Sequence, residues 1–496
     1  MKKLYLVKPL AIGTINPMIY GHFSEHIGGV FYDGLWVGED SPIPNIRGFR
    51  KSLVEKFRAI RPPVLRWPGG CFAETYDWRD GIGPRDERPV RLNWWHQHDQ
   101  RMESNAVGTH EFIDFCHLVG AEPYFAANIT SQSPLAIRDW IDYCNSPAGS
   151  TSLACLREKN GSAEPFRVHF WGVGNECWGG GGNMTPEVYA HEFRKYSAIM
   201  ANSAKGLELF GCGPNGGDWR WTERFLQHFE SSEHHMHGYS VHYYCSACGH
   251  ATEFTDQEYY QMLVKAAGIE AIIERNWQLI SGFGMQQFAR LVVDEWGCWH
   301  PGGSGPSQGR NLFEQQSTMR DALVAALTLN IFNNHCDKVR MANIAQLANN
   351  LHCLFLAGGE DCITTPTYHV FDMFKDHQGG SAIRCALEDA NADATVGDPR
   401  QPATLTSLSH SASIRNDFLT LTIANLSLTE SADITLEPVG FQLGRDAEIS
   451  TLSHSNVRAC NTFAMPDCVC PTEREGLADK LSIPPASVIC LRAKVK

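Results

Sequence analysis

The chain has 496 residues, enough for a barrel of about 250 residues and one or two further domains. Its hydrophobic content of 43% and charged content of 20% are those of a globular protein and exclude a disordered, collagen-like or membrane-inserted chain. A formal net charge of -13, with no basic run or stripe, excludes nucleic acid as a partner and leaves a neutral ligand as the expectation.

The chain opens Met1-Lys2-Lys3-Leu4-Tyr5-Leu6-Val7-Lys8-Pro9, where Lys8 and Pro9 cut the apolar stretch too short for the core of a signal peptide. No segment approaches the roughly 18 apolar residues that span a bilayer. A cytoplasmic protein with no membrane partner is therefore expected. The strand read over Lys3–Val7 has no helix before it, so 1–17 is expected to join a C-terminal β-domain. The 17 cysteines form no short repeating framework and lie mostly in apolar stretches such as Phe115-Cys116-His117 and Ile489-Cys490-Leu491; they read as free thiols.

Over 18–375, short β-branched or aromatic runs alternate with longer stretches of helical period. Strands are predicted over Met18–Phe23, Pro63–Trp67, Pro123–Asn128, His169–Gly174, Leu207–Cys212, Tyr239–Tyr244, Leu291–Glu295 and Val339–Gln346. Helices such as Glu187–Met200 and Thr318–Phe332 lie between them. Eight parallel strands with intervening helices close most economically into a (β/α)8 TIM barrel, an α/β fold. Beyond it, 376–402 is rich in Gly, Asp, Asn and Ala, and alternating strands such as Phe418–Ile423 and Ala447–Leu452 predict a β-sandwich over 376–496.

Catalytic groups of such barrels project from the C-terminal ends of strands. The fourth run ends Gly174-Asn175-Glu176 and the seventh ends Asp294-Glu295-Trp296, so each delivers a carboxylate to the barrel mouth. Cleaving a glycosidic bond needs a proton for the leaving oxygen and negative charge beside an oxocarbenium-like carbon, which a pair of carboxyl groups supplies. Glu176, expected beside Trp171 and Trp178, reads as the general acid/base and Glu295 as the nucleophile. A separation of about 5–5.5 Å would make the reaction retaining.

At these residues the sequence resembles glycoside hydrolase family 51, the α-L-arabinofuranosidases. Gly174-Asn175-Glu176 and Asp294-Glu295-Trp296 are similar to that family's acid/base and nucleophile segments. Tyr20-Gly21-His22-Phe23-Ser24-Glu25-His26 resembles its first-strand segment, which implies that Glu25 binds furanose hydroxyls. Leu65-Arg66-Trp67-Pro68-Gly69-Gly70-Cys71-Phe72, followed by Asp77-Trp78-Arg79-Asp80-Gly81-Ile82-Gly83-Pro84, resembles the second, where Arg66 would support the nucleophile and Cys71 would face the substrate.

Ser240-Val241-His242-Tyr243-Tyr244 resembles the sixth-strand end, with His242 at the substrate and a tyrosine, Tyr244 or Tyr243, hydrogen-bonding the nucleophile. Met341-Ala342-Asn343-Ile344-Ala345-Gln346-Leu347 resembles the eighth, from which Gln346 would reach a sugar hydroxyl. Asn175 would donate to the sugar 2-OH and Trp299 would line the subsite. Thr365-Pro366-Thr367-Tyr368, Asn461-Thr462-Phe463 and Pro484-Pro485 extend the likeness into a jelly-roll-like β-domain.

The resemblance implies release of terminal arabinofuranosyl residues from arabino-oligosaccharides of arabinan or arabinoxylan, no cofactor or metal, and a homo-oligomer. Gly29, where an arginine is usual, and Cys71, where many members have asparagine, bear on the finer substrate preference.

Three other readings compete. The same acid pair serves β-xylosides or β-glucans on similar barrels, and a carbohydrate-binding protein could use the tryptophans without both acids. Cys245-Ser246-Ala247-Cys248, near His234, His235, His237 and His242, has the spacing of a zinc or redox pair, against the plainer reading of free loop thiols.

Overall fold

A computed structural model describes residues 2–229, 235–388, 394–396 and 403–496. The first strand, β1 (Lys2–Thr14), precedes eight barrel strands: β2 (Gly21–Phe23), β3 (Val64–Trp67), β4 (Glu122–Ala127), β5 (Phe170–Val173), β6 (Glu208–Gly211), β7 (Gly238–Ser246), β8 (Arg290–Trp299) and β9 (Val339–Ala345). These eight close into a barrel in their sequence order. Their residues are buried almost throughout, all four of β3 and of β5 among them, as strands covered on both faces require.

Two predicted strands differ from the observed ones. Pro17–Tyr20 forms a single helical turn, with the Ile19 N–H donating to the Asn16 carbonyl, so that the strand starts only at Gly21. At the other end, β8 runs past Glu295 to Trp299. Trp296 and Cys298 are buried and keep the ladder going. Between them Gly297, at φ +149°, leaves room where a Cβ would stand 2.8 Å from the His352 Cβ. Glu295 therefore sits within a strand rather than at its end.

Helices follow the strands. Of these, α1 (Pro186–Ala201) encloses the predicted Glu187–Met200, and α2 (Met319–Asn334) covers the predicted Thr318–Phe332 except Thr318, which is its N-cap. Thr185 caps α1 by accepting the Val188 N–H. Thr318 caps α2 in a reciprocal box, its own N–H donating to Asp321 Oδ2 at 2.7 Å. Nearly every residue of α2 is buried, which is why its sequence shows so little polar face.

The C-terminal strands are β10 (Ser381–Leu387), β11 (Leu408–Arg415), β12 (Phe418–Asn425), β13 (Ala432–Val439), β14 (Leu443–Ser453), β15 (Thr472–Leu477), β16 (Lys480–Ile483) and β17 (Ser487–Val495). With β1 they form one sheet in the order β15-β14-β17-β12-β11-β10-β1-β13-β16. β1 runs antiparallel to β10 and parallel to β13. Ile449 of β14 shares one buried cluster with Leu4 of β1, Ile434 of β13 and Leu481 of β16. Strands from both ends of the order meet there, so the sheet curls over itself in the manner of a sandwich.

The chain packs as two compact units, one of residues 1–20, 244–271 and 296–496, the other of 21–243 and 272–295. These bounds do not follow the division into 1–17, 18–375 and 376–496 read along the chain. In the first unit the sheet and α2 share buried polar contacts: Asn330 Oδ1 accepts from Ser411 and Thr422 at 2.7 Å each, and Asn333 Nδ2 donates to Ser411 at 3.0 Å.

Candidate active site

The carboxylates picked out in the sequence converge on one arginine and one histidine, all within the second unit. Arg66, 1% exposed on β3, donates to Glu295 Oε1 at 2.6 Å and to Asn175 Oδ1 at 2.6 Å, and its Nε lies 3.7 Å from Asp294 Oδ2. Its guanidinium packs over the Phe23 ring, 4.5 Å from the centroid. Burial acts against this charge, but Asp294 and Glu295 outweigh it and hold the guanidinium more firmly protonated than usual. One fixed cation thus orients both the acid at 295 and the amide beside 176.

His242, on β7, faces the same carboxylates from the other side. Its Nδ1 lies 2.9 Å from Glu176 Oε1 and 3.4 Å from Glu295 Oε2, and its Nε2 lies 3.5 Å from Asp294 Oδ1. Burial disfavours the imidazolium, yet Glu295, Asp294 and Glu176 together raise its pKa well above the ordinary range. Asp294 also accepts the Tyr124 hydroxyl at 2.8 Å. Burial would raise Asp294, but Arg66 and His242 hold it below the usual carboxylate range. Single carboxylate oxygens of Glu176 and Glu295 lie within 4.8 Å of each other and of a His242 nitrogen.

Local backbone places these groups. Gly174, at φ +83°, and Glu176, at φ +40°, are both left-handed, so the chain turns sharply at the end of β5 and projects Asn175 and Glu176 inwards. Asn175 Nδ2 is buried with no hydrogen-bond partner among the described residues. On the facing loop, a Cβ at Gly70 would stand 2.9 Å from Glu295 Oε1, and one at Gly69 would stand 2.7 Å from Glu25 Cγ. Only the glycine pair lets this loop come so close.

Glu25 accepts the Phe72 N–H at 2.9 Å and the Trp95 indole at 3.2 Å. Cys71 directs its Sγ to Glu176 Oε2 at 3.8 Å. Burial first, then the charges of Glu25 and Glu176, push this thiol up, so it stays protonated and donates.

Trp171, expected beside Glu176, instead packs on Phe125 and Trp140, with ring centroids 5.3 Å apart in each case. It alternates along β5 with Gly172, where a Cβ would stand 3.0 Å from the Tyr124 hydroxyl that binds Asp294, so the Trp171 ring belongs to the other face of the strand. Along β7 the same alternation puts Tyr244 on the face of His242 and Tyr243 on the other, where its ring lies 3.7 Å from the space beside Gly216.

Tyr244, Trp299 and Gln346 belong to the first unit. There the Tyr244 ring meets Trp299 edge-on at 5.2 Å, and Trp299 meets Phe313 at 4.9 Å. Gln346 directly follows β9, is 1% exposed, and donates its backbone N–H to the Asn350 carbonyl.

None of the 17 cysteines is joined in a disulfide. Cys248 directs its Sγ to the Ser246 carbonyl at 3.4 Å. Neither it nor Cys245 falls in a possible metal-ligand group among the described residues, and His234 lies outside those residues. One such group, Cys298 with Asp321 and His352, has its carboxylate already engaged by Thr318 and His300.

Comparison with known proteins follows this geometry. The family model described as Alpha-L-arabinofuranosidase 1 domain matches residues 56–261, and the one described as Alpha-L-arabinofuranosidase C-terminal domain matches residues 294–487. An intracellular exo-alpha-L-arabinofuranosidase of Bacteroides ovatus is 36% identical over 488 residues, covering 95% of this chain and 92% of that protein. The chain belongs to glycoside hydrolase family 51, the α-L-arabinofuranosidases.

Solved structures of the family agree. The GH51 arabinofuranosidase of Xanthomonas axonopodis pv. citri superposes with a TM-score of 0.91 at 33% identity, over the whole of both chains. The α-L-arabinofuranosidase of Thermotoga maritima, solved as an arabinose complex, superposes with a TM-score of 0.88 at 29% identity, again over both whole chains.

In this arabinofuranosidase, sequence reading missed Glu74, Tyr124 and Trp95 and gave Asp294 no separate part. Trp95 could have been flagged as one of two adjacent tryptophans in a polar stretch. Glu74 and Tyr124 carry no signal along the chain, because their partners are more than 100 residues away.

Proposed function

We propose that this glycoside hydrolase releases terminal α-L-arabinofuranosyl residues from arabino-oligosaccharides by double displacement with retention. The observation that carries the reading is the approach of Glu176 and Glu295, whose nearest carboxylate oxygens lie within 4.8 Å. That fits the roughly 5–5.5 Å of retaining enzymes and leaves too little room for the water that inverting enzymes hold across about 6.5–9.5 Å.

In the first step a Glu295 oxygen bonds to the anomeric carbon as the glycosidic C–O bond breaks. Glu176 passes its proton to the departing oxygen. In the second step Glu176 takes a proton from water, the water oxygen bonds to the anomeric carbon, and the ester to Glu295 breaks. Glu176 is the more open of the two acids, its side chain 19% exposed against 7% for Glu295, as a group that meets both leaving group and water requires.

In this reading Arg66 orients Glu295, and the unpartnered Asn175 amide donates to the 2-OH, a contact worth several kcal/mol, roughly, as charge develops. Glu25, Cys71 and His242 meet the remaining groups of the sugar, and Tyr244, Gln346 and Trp299 keep the parts that the family resemblance implies for them. Exo action and a cytoplasmic location are supported by the name of the Bacteroides ovatus relative. No described helix is long and apolar enough to cross a membrane. Self-association into a homo-oligomer completes the reading.

The test is azide rescue on 4-nitrophenyl α-L-arabinofuranoside. Glu176→Ala should regain turnover with azide and give the α-azide, since azide attacks the glycosyl-enzyme in place of water. Glu295→Ala should give the β-azide, since azide takes the nucleophile's place. Undiminished activity in either variant would refute the assignment.

A further inference from the structure

Glu74 is fully buried, with 0% exposure, three residues beyond Cys71 in the loop that follows β3. Its Oε1 accepts the Asn175 backbone N–H at 2.7 Å. That N–H lies between the left-handed Gly174 and Glu176, at a point where the chain has left the barrel ladder and no strand neighbour can take it. Its own carbonyl accepts the Ser131 hydroxyl at 2.8 Å, and Ser131 is tied in turn to Asn128 at the end of β4.

The Asn175 side chain is held from the opposite side, where Oδ1 accepts from Arg66 at 2.6 Å. Residue 175 is thus clamped at backbone and side chain by two buried groups, and residue 176 follows directly in a strained conformation. A polar group at this depth is costly unless it is hydrogen-bonded, and the Asn175 N–H supplies that bond. Burial pushes Glu74 up to about 7 against hydrogen bonds from Thr130 and Asn175.

We infer that Glu74 is a positioning residue for proton transfer: by holding the Asn175 backbone it fixes the turn that aims Glu176 at the leaving-group oxygen. This rests on the reading of Glu176 as acid/base. Glutamine at 74 keeps the acceptor oxygen in place. Aspartate keeps the carboxyl group but withdraws the acceptor by about one C–C bond, ~1.5 Å. Neither change removes much volume, so both variants are expected to fold.

The experiment compares kcat/KM of wild type, Glu74→Asp, Glu74→Gln and Glu176→Ala on two substrates. One is 2,4-dinitrophenyl α-L-arabinofuranoside, whose phenolate leaves unaided. The other is phenyl α-L-arabinofuranoside, whose leaving oxygen needs a proton. Because kcat/KM reports only the steps through bond cleavage, it isolates acid assistance. Glu74→Asp should lose roughly tenfold or more on the phenyl substrate and less than about threefold on the dinitrophenyl one, within the range that general acid catalysis spans. Glu74→Gln should stay near wild type on both.

Equal losses of Glu74→Asp on both substrates, or none on either, would overturn the inference, as would a Glu74→Gln variant as impaired as Glu74→Asp. Glu176→Ala separates the two readings. If it shows the leaving-group bias and Glu74→Asp does not, only the inference about Glu74 fails. If Glu176→Ala shows no bias, the acid/base assignment itself is wrong.

Discussion

His242 sits where three carboxylates would otherwise repel one another, and its partners decide its charge. Burial costs the imidazolium, but Glu295, Asp294 and Glu176 raise its pKa well above the ordinary 6.5. A group raised on folding adds stability in full below its unfolded pKa and loses it as the pH climbs through the folded value. The advantage of wild type over His242→Gln in thermal unfolding should therefore be full below about pH 6.5 and shrink as the pH rises above it. A difference that does not change with pH would show that the charge of His242 is not what stabilises the cluster. His242 also hydrogen-bonds Glu176, so the same variant should lower kcat more than it raises KM.

Among the elements, α2 and the strands against it carry the clearest division between a legible start and a hidden face. Thr318 and Asp321 mark the helix start in the sequence as a capping pair. Nothing along the chain announces that Asn330 and Asn333 turn towards Ser411 and Thr422 in the sheet. His377 joins this network, its Nδ1 2.8 Å from Ser413 and its Nε2 3.0 Å from Thr422. Burial pushes His377 down to about 3.

The unfolded chain accepts a proton on this residue below about pH 6.5, whereas the folded chain resists until far lower, so stability should fall as the pH drops through 6.5. The expected loss is about 2 kcal/mol by pH 5. In urea denaturation at pH 7 and pH 5, His377→Gln should lack that part of the decline. Parallel behaviour of variant and wild type would mean that other buried histidines, such as His22 and His352, account for the acid sensitivity.

For the molecule as a whole, the compact units cut across the barrel sequence. Of the nine strands of the sheet only β1 precedes residue 376, and both of its neighbours, β10 and β13, follow it. A fragment ending at residue 375 would expose Leu4 and Leu6, both fully buried, and would strip α2 of the hydroxyls that satisfy its asparagines. Such a fragment should be recovered aggregated and without arabinofuranosidase activity when expressed and assayed beside the full chain. Soluble, active fragment would show that the barrel folds without its sheet.

The sequence by itself determined the order and kind of the elements, because buried parallel strands must be short apolar runs and helices must carry their caps and period locally. It also singled out Glu176 and Glu295 as the candidate acids, because a carboxylate that closes an apolar strand run stands out at the barrel mouth. Only the tertiary structure decided what surrounds them. Arg66 meets Glu295 across 229 residues and Glu74 meets Asn175 across 101, contacts that chain closure creates and no local pattern records. The same holds for Trp171, whose ring packs on Phe125 and Trp140, and for β8, which continues past Glu295 through the buried Trp296 and Cys298. Hydrophobic period is a property of neighbours in sequence. Pairing of charges and polar groups is a property of neighbours in space.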